Sequence, residues 1–104
     1  MNNKFGLLQQ DLDSIIDILK KQEAIEEALI FGSRAKNSYK KGSDVDIAIK
    51  GKQVNHNVIN EVSYSLNEET IMPYQFDILD RNKITNHHLT QHIDCVGITI
   101  YKKK

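Results

Sequence analysis

Three aspartates carry the strongest chemical signal in this chain. Asp44 and Asp46 flank Val45 at the head of the run Val45-Asp46-Ile47-Ala48-Ile49, and Asp77 lies in a second run, Tyr74-Gln75-Phe76-Asp77-Ile78-Leu79. Both runs alternate with period two, the pattern of strands buried on one side. Along the first, Val45, Ile47 and Ile49 point one way, while Asp44, Asp46 and Ala48 point the other. Along the second, Tyr74, Phe76 and Ile78 share a face and Asp77 takes the opposite one. If the two strands are neighbours, three carboxylates converge on the face that helices leave uncovered. Such a cluster repels itself and raises its own pKa values unless a cation neutralises it. A hard divalent ion with oxygen ligands, Mg²⁺ first among them, meets that need. One Asp-x-Asp pair could simply face water, but aspartate is disfavoured inside strands and here it recurs in two.

Beside these acids stands Phe31-Gly32-Ser33. Glycine directly after an apolar strand permits a sharp turn and close approach of the backbone to a ligand. Ser33 then opens a short helical turn, whose free N–H groups and positive dipole end attract phosphate. Arg34, next in the chain, is a candidate third phosphate contact. Lys36, Lys40 and Lys41 crowd the same loop and read individually as solvated surface, as does Tyr39. Other phosphate and metal motifs fail on spacing. Gly32 lacks the partner Gly-Lys-Ser/Thr of a Walker loop, and an EF-hand beginning at Asp44 would meet Ile49 and Asn55 where it needs glycine and glutamate. His88, His92 and Cys95 share one face of a late helix, but no fourth ligand suggests itself. They read as helix-surface or interface residues rather than a zinc site.

The elements that must position these groups follow from apolar spacing. Leu8, Leu12, Ile15, Ile16 and Leu19 form the stripe of a first helix, and Asp17 and Lys21 make an i,i+4 pair on it. Ala28-Leu29-Ile30-Phe31 is a short apolar run read as a buried strand. A polar loop spans Ser33 to Ser43, followed by the Val45–Ile49 strand, which Gly51 ends. Val54, Val58, Ile59, Val62 and Leu66 return to helical spacing until Met72-Pro73 breaks it ahead of the third strand. Ile84, Leu89, Ile93 and Val96 predict a last helix, and Ile98, Ile100 and Tyr101 an edge strand. The expected architecture is α/β (α+β): one small mixed sheet with helices packed on one face.

Composition narrows the classes further. The chain has 104 residues, 14 basic against 14 acidic, with 39% hydrophobic residues. That suits one globular domain over residues 1–104 and argues against disorder and against general nucleic-acid binding. No apolar run reaches the roughly 20 residues of a membrane helix. The start, Met1-Asn2-Asn3-Lys4, leads into an amphipathic stretch rather than a signal-peptide core, and a single cysteine, Cys95, fits a reducing cytoplasm.

Gly32-Ser33, ten residues, Asp44-Val45-Asp46 and a later strand-borne Asp77 together resemble the minimal nucleotidyltransferase antitoxins, the smallest members of the DNA polymerase β-like superfamily. The likeness runs from the first helix to Gly97-Ile98. Where many relatives carry glycine this chain has Asn37, which tolerates positive φ. The resemblance implies the polymerase β-like fold and transfer of a nucleoside monophosphate, AMP from ATP, with release of pyrophosphate. It implies that Asp44 and Asp46 hold two Mg²⁺ ions, that Asp77 holds the catalytic one and helps deprotonate the attacking hydroxyl, and that Gly32 and Ser33 hold the β- and γ-phosphates. It further implies an all-helical HEPN-type toxin as partner and a tyrosine hydroxyl of that toxin as acceptor. A binding-only antitoxin of the same fold, or a small-molecule nucleotidyltransferase, stands as the alternative.

Overall fold

The computed structural model describes residues 5–36 and 43–103. The loop positions Asn37, Tyr39, Lys40, Lys41 and Gly42, together with Met1–Lys4 and Lys104, lie outside the described residues. The elements are α1 (Gln9–Lys20), β1 (Glu27–Phe31), β2 (Val45–Lys50), α2 (His56–Glu68), β3 (Phe76–Asp80), a 3-10 turn at Arg81–Lys83, α3 (His87–Val96) and β4 (Ile98–Lys102).

Local chemistry sets several of these ends. Asn55 caps α2 by accepting a hydrogen bond from the Val58 N–H at 3.0 Å, and Asn86 caps α3 by accepting from Leu89 N–H at 3.1 Å. Asparagine in this role satisfies one of the amide donors that a helix start leaves without a partner. The third strand begins two residues later than its alternation suggests, at Phe76, although the Gln75 carbonyl already accepts from the Val45 N–H at 2.9 Å.

The four strands form one mixed sheet in the order β3-β2-β1-β4. β1 runs antiparallel to β2 and β4, whereas β2 and β3 are parallel. Parallel neighbours need a long crossover, and α2 supplies it. Ile30, Val45, Ile47, Ile49, Phe76 and Ile78 pack beneath Leu12, Ile15 and Leu19 of α1 and Val62 and Leu66 of α2. The alternation read from the sequence therefore holds: the apolar faces of β2 and β3 line one core.

One expectation needs correcting. The helices do not all lie on that face. Ile93 of α3 is fully buried against Phe31 and Ala48, with Leu79, Ile84 and Leu89 around it, forming a second small core on the other side of the sheet. β1 is apolar at successive positions because both its faces are covered. Among the described residues, no helix is long and apolar enough to cross a membrane.

Candidate functional site

The parallel pairing of β2 and β3 sets Asp46 directly opposite Asp77, while the antiparallel pairing of β1 sets Phe31 opposite Asp46 on its other side. Period-two alternation turns both carboxylates away from the α1–α2 core, onto the face that carries α3. Asp44, two residues before Asp46, precedes β2 and is exposed, as is Asp77; Asp46 is half-buried. Partial burial pushes the Asp46 carboxyl above its ordinary range, and the charges of Asp77 and then Asp44 push it further. His92 on α3 works in the opposite direction. Asp46 thus feels the charge of both other acids.

Gly32 closes the site from the β1 side. Its φ is +75°, a region that costs other residues on the order of 1–3 kcal/mol. A Cβ at this position would also collide with Oδ2 of Asp46. The backbone of the turn therefore lies against the carboxylate, and only glycine allows that approach. Ser33 follows, half-buried, and the Lys36 N–H donates to the Gly32 carbonyl at 3.1 Å, closing one helical turn.

Arg34, expected among the phosphate contacts, is turned inward instead. It is 3% exposed. Its Nη1 donates to the Phe5 carbonyl at 2.9 Å, while Nε and Nη2 donate to the Ser43 carbonyl at 3.2 and 2.8 Å. The guanidinium also stands 5.2 Å from the centre of the Tyr74 ring, whose hydroxyl donates to Asp11. A planar fork of donors suits this double grip on backbone better than an ammonium would. Arg34 thereby fastens both ends of the loop between the glycine turn and Asp44.

His92 is the residue whose place the sequence did not disclose. Its ring meets Phe31 edge-on, with centroids 6.2 Å apart, which seats the imidazole over the carboxylate face. Helical spacing grouped it with His88 and Cys95, but those two are exposed. Only the packing of Ile93 onto Phe31 and Ala48 reveals which way α3 faces.

The donor set fits a hard divalent cation. It consists of carboxylate oxygens, and the Asp46 carboxyl is raised first by burial and then by the charges of Asp77 and Asp44, costs that a bound cation would offset. Among the described residues, no three His, Cys, Asp or Glu side chains are gathered into a finished ligand cage. Asp46, Asp77 and Asp44 are the residues that would hold one.

Comparison with known proteins agrees with this geometry. The family described as Polymerase beta, Nucleotidyltransferase matches residues 13–104. No curated protein matches the chain significantly. Among solved structures, one of a toxin–antitoxin with AMP-PNP superposes with a TM-score of 0.73 at 19% identity, over 89% of this chain and 74% of the other. The toxin–antitoxin MntA–HepT gives 0.70 at 18% identity, over 92% and 74% of the two chains. A tri-AMPylated HEPN toxin of Shewanella oneidensis in complex with its MNT antitoxin gives 0.69 at 18%, over 91% and 72%. At such identities the likeness is one of fold.

Proposed function

The chain belongs to the polymerase beta nucleotidyltransferase family, and from that premise we propose that it is a Mg²⁺-dependent adenylyltransferase that modifies a hydroxyl of a partner protein. The observation that carries this reading is the pairing of Asp46 with Asp77 across β2 and β3, with the Gly32 turn pressed against Asp46. Two carboxylate-bearing strands and a glycine turn can hold a triphosphate and an attacking hydroxyl on one face. Asp44, Asp46 and Asp77 would bind two Mg²⁺ ions. Such ions, when bound, neutralise the triphosphate and stabilise the attacking and leaving oxygens.

The protein's own contribution is placement. The Gly32-Ser33 turn would receive the β- and γ-phosphates on its backbone N–H groups and so orient pyrophosphate as the leaving group. A carboxylate oxygen of Asp77 takes the proton of the attacking hydroxyl. The hydroxyl oxygen forms its bond to the α-phosphorus of ATP as the bond to the bridging oxygen breaks, giving an AMP ester and pyrophosphate. Asp44 and Asp77 are exposed, so an acceptor carried on another protein can reach them. The partner we propose is a HEPN-type helical toxin, neutralised in the cytoplasm by modification. This rests on the solved complexes of similar fold, which pair such a toxin with an MNT antitoxin.

The test uses ATP labelled at the α-phosphate, Mg²⁺ and a HEPN-type protein co-purified with the chain. Label is expected on the partner with the wild-type chain and absent with Asp44→Asn/Asp46→Asn. Neutralisation without label in both proteins would leave a binding-only antitoxin. Label on a small-molecule alcohol but never on protein would favour a small-molecule nucleotidyltransferase.

A further inference from the structure

β3 is an edge strand. Among the described residues only β2 pairs with it, so half of its backbone groups face away from the sheet. The Val45 N–H donates to the Gln75 carbonyl at 2.9 Å, which turns Gln75 toward β2. By alternation, the N–H and C=O of Phe76 face the open edge. There they meet a side chain rather than another strand. Asn67, in the last turn of α2, accepts from the Phe76 N–H at 2.8 Å through Oδ1 and donates to the Phe76 carbonyl at 3.0 Å through Nδ2. Its amide thus reproduces the pair of bonds that a neighbouring strand would make. A further hydrogen bond, from Nδ2 to Ser63 Oγ at 3.3 Å, fixes the amide against α2.

The residue after Phe76 is Asp77. We infer that Asn67 is a positioning residue for Asp77: its carboxamide locks the start of edge strand β3 so that the Asp77 carboxylate stays in register with Asp46 for cation binding. The inference rests on the metal-binding reading of the carboxylates proposed above. Asn67 bonds to neither acid and acts only through the Phe76 peptide. An unlocked edge strand exchanges its outward hydrogen bonds with water and lets its first residues shift. Outer partners of this kind tune metal affinity because small displacements of a ligand matter at coordination distances.

Mn²⁺ binding to the metal-free chain, followed by electron paramagnetic resonance without nucleotide, tests this apart from turnover. Wild type is expected to bind Mn²⁺ and Asp77→Asn to lose most of that binding. Asn67→Ala should weaken binding about tenfold and speed exchange of the Asp77 amide proton. Val62→Ala trims the buried face of the same helix without removing either Asn67–Phe76 hydrogen bond, so it reports a purely structural loss. It should keep wild-type Mn²⁺ affinity while lowering the unfolding temperature at least as much. Should Asn67→Ala prove too unstable, Asn67→Asp keeps an acceptor for the Phe76 N–H and should show the same weakening. Wild-type affinity in the folded Asn67 variants, or an equal loss in Val62→Ala, overturns the role of Asn67 alone. Equal Mn²⁺ binding by wild type and Asp77→Asn overturns the metal reading and this inference together.

Discussion

In the proposed metal site Asp46 answers to two opposed demands, because the charge that would suit it to hold a cation also costs the fold around it stability. Its proton affinity is raised in the folded chain by burial and by Asp77 and Asp44, with His92 opposing them. The folded state therefore holds the proton more tightly than the unfolded chain does. That contribution to stability is full below the ordinary aspartate range and is lost as pH rises through the raised value. At neutral pH without divalent ions, Asp46→Asn should unfold at a higher temperature than wild type, and the difference should vanish on acidification. Adding Mg²⁺ should raise the unfolding temperature of wild type but not of the variant, since an ion that binds only the folded state stabilises it. Thermal unfolding from pH 3 to 8, with and without Mg²⁺, reads all of this. A variant less stable than wild type at neutral pH would mean that burial of the carboxylate and the charges of Asp77 and Asp44 do not together govern Asp46.

Arg34 belongs to the same scale. A phosphate-gripping arginine and a loop-fastening arginine respond differently to lysine. Arg34→Lys replaces three donor nitrogens spread over a planar fork by a single one, so either the Phe5 or the Ser43 carbonyl is expected to lose its donor, at about 1–3 kcal/mol for a buried carbonyl. Urea denaturation should show a loss of that order. A rise in KM for ATP with unchanged stability would return Arg34 to the phosphates.

At the scale of elements, period two disclosed the most important fact. Asp46 and Asp77 could be set on one face from the sequence because a strand has only two faces and the apolar residues claim one of them. The sequence also held a sign of α3's position that only packing made plain. Ala28-Leu29-Ile30-Phe31 does not alternate, and a strand apolar at every position is covered on both sides. The cover over Phe31 is Ile93, from a helix joined to the sheet far along the chain. The inward turn of Arg34 was less accessible, since it depends on Phe5, 29 residues away. An arginine beside a Gly-Ser turn looks the same in sequence whichever way it faces.

The packing of α3 can be tested. Ile93→Ala removes the centre of the smaller core, and such truncations cost about 2–5 kcal/mol depending on how far the site collapses. Urea denaturation should show the loss. The His92 ring protons should lose their ring-current shift from Phe31 in the nuclear magnetic resonance spectrum under native conditions. An unchanged His92 signal in a destabilised protein would mean that Ile93 does not set the height of the helix over the carboxylates.

At the scale of the whole molecule, the sheet has two cores that share their strands. In β2, Val45, Ile47 and Ile49 serve the larger core and Ala48 the smaller; in β1, Ala28 and Ile30 serve the larger and Phe31 the smaller. Neither side can come apart without stripping cover from the same two strands, which also carry Asp46 and the glycine turn. A chain of 104 residues built this way should unfold in one cooperative step. Far-UV circular dichroism follows the helices and sheet together, whereas the His92 resonances follow the α3 side alone. Their urea midpoints should coincide. An earlier midpoint for His92 would mean that α3 lifts from the sheet as a separate unit, baring the carboxylate face while the larger core stays folded. The opening of that face to an acceptor would then be an equilibrium of the helix rather than a fixed property of the fold.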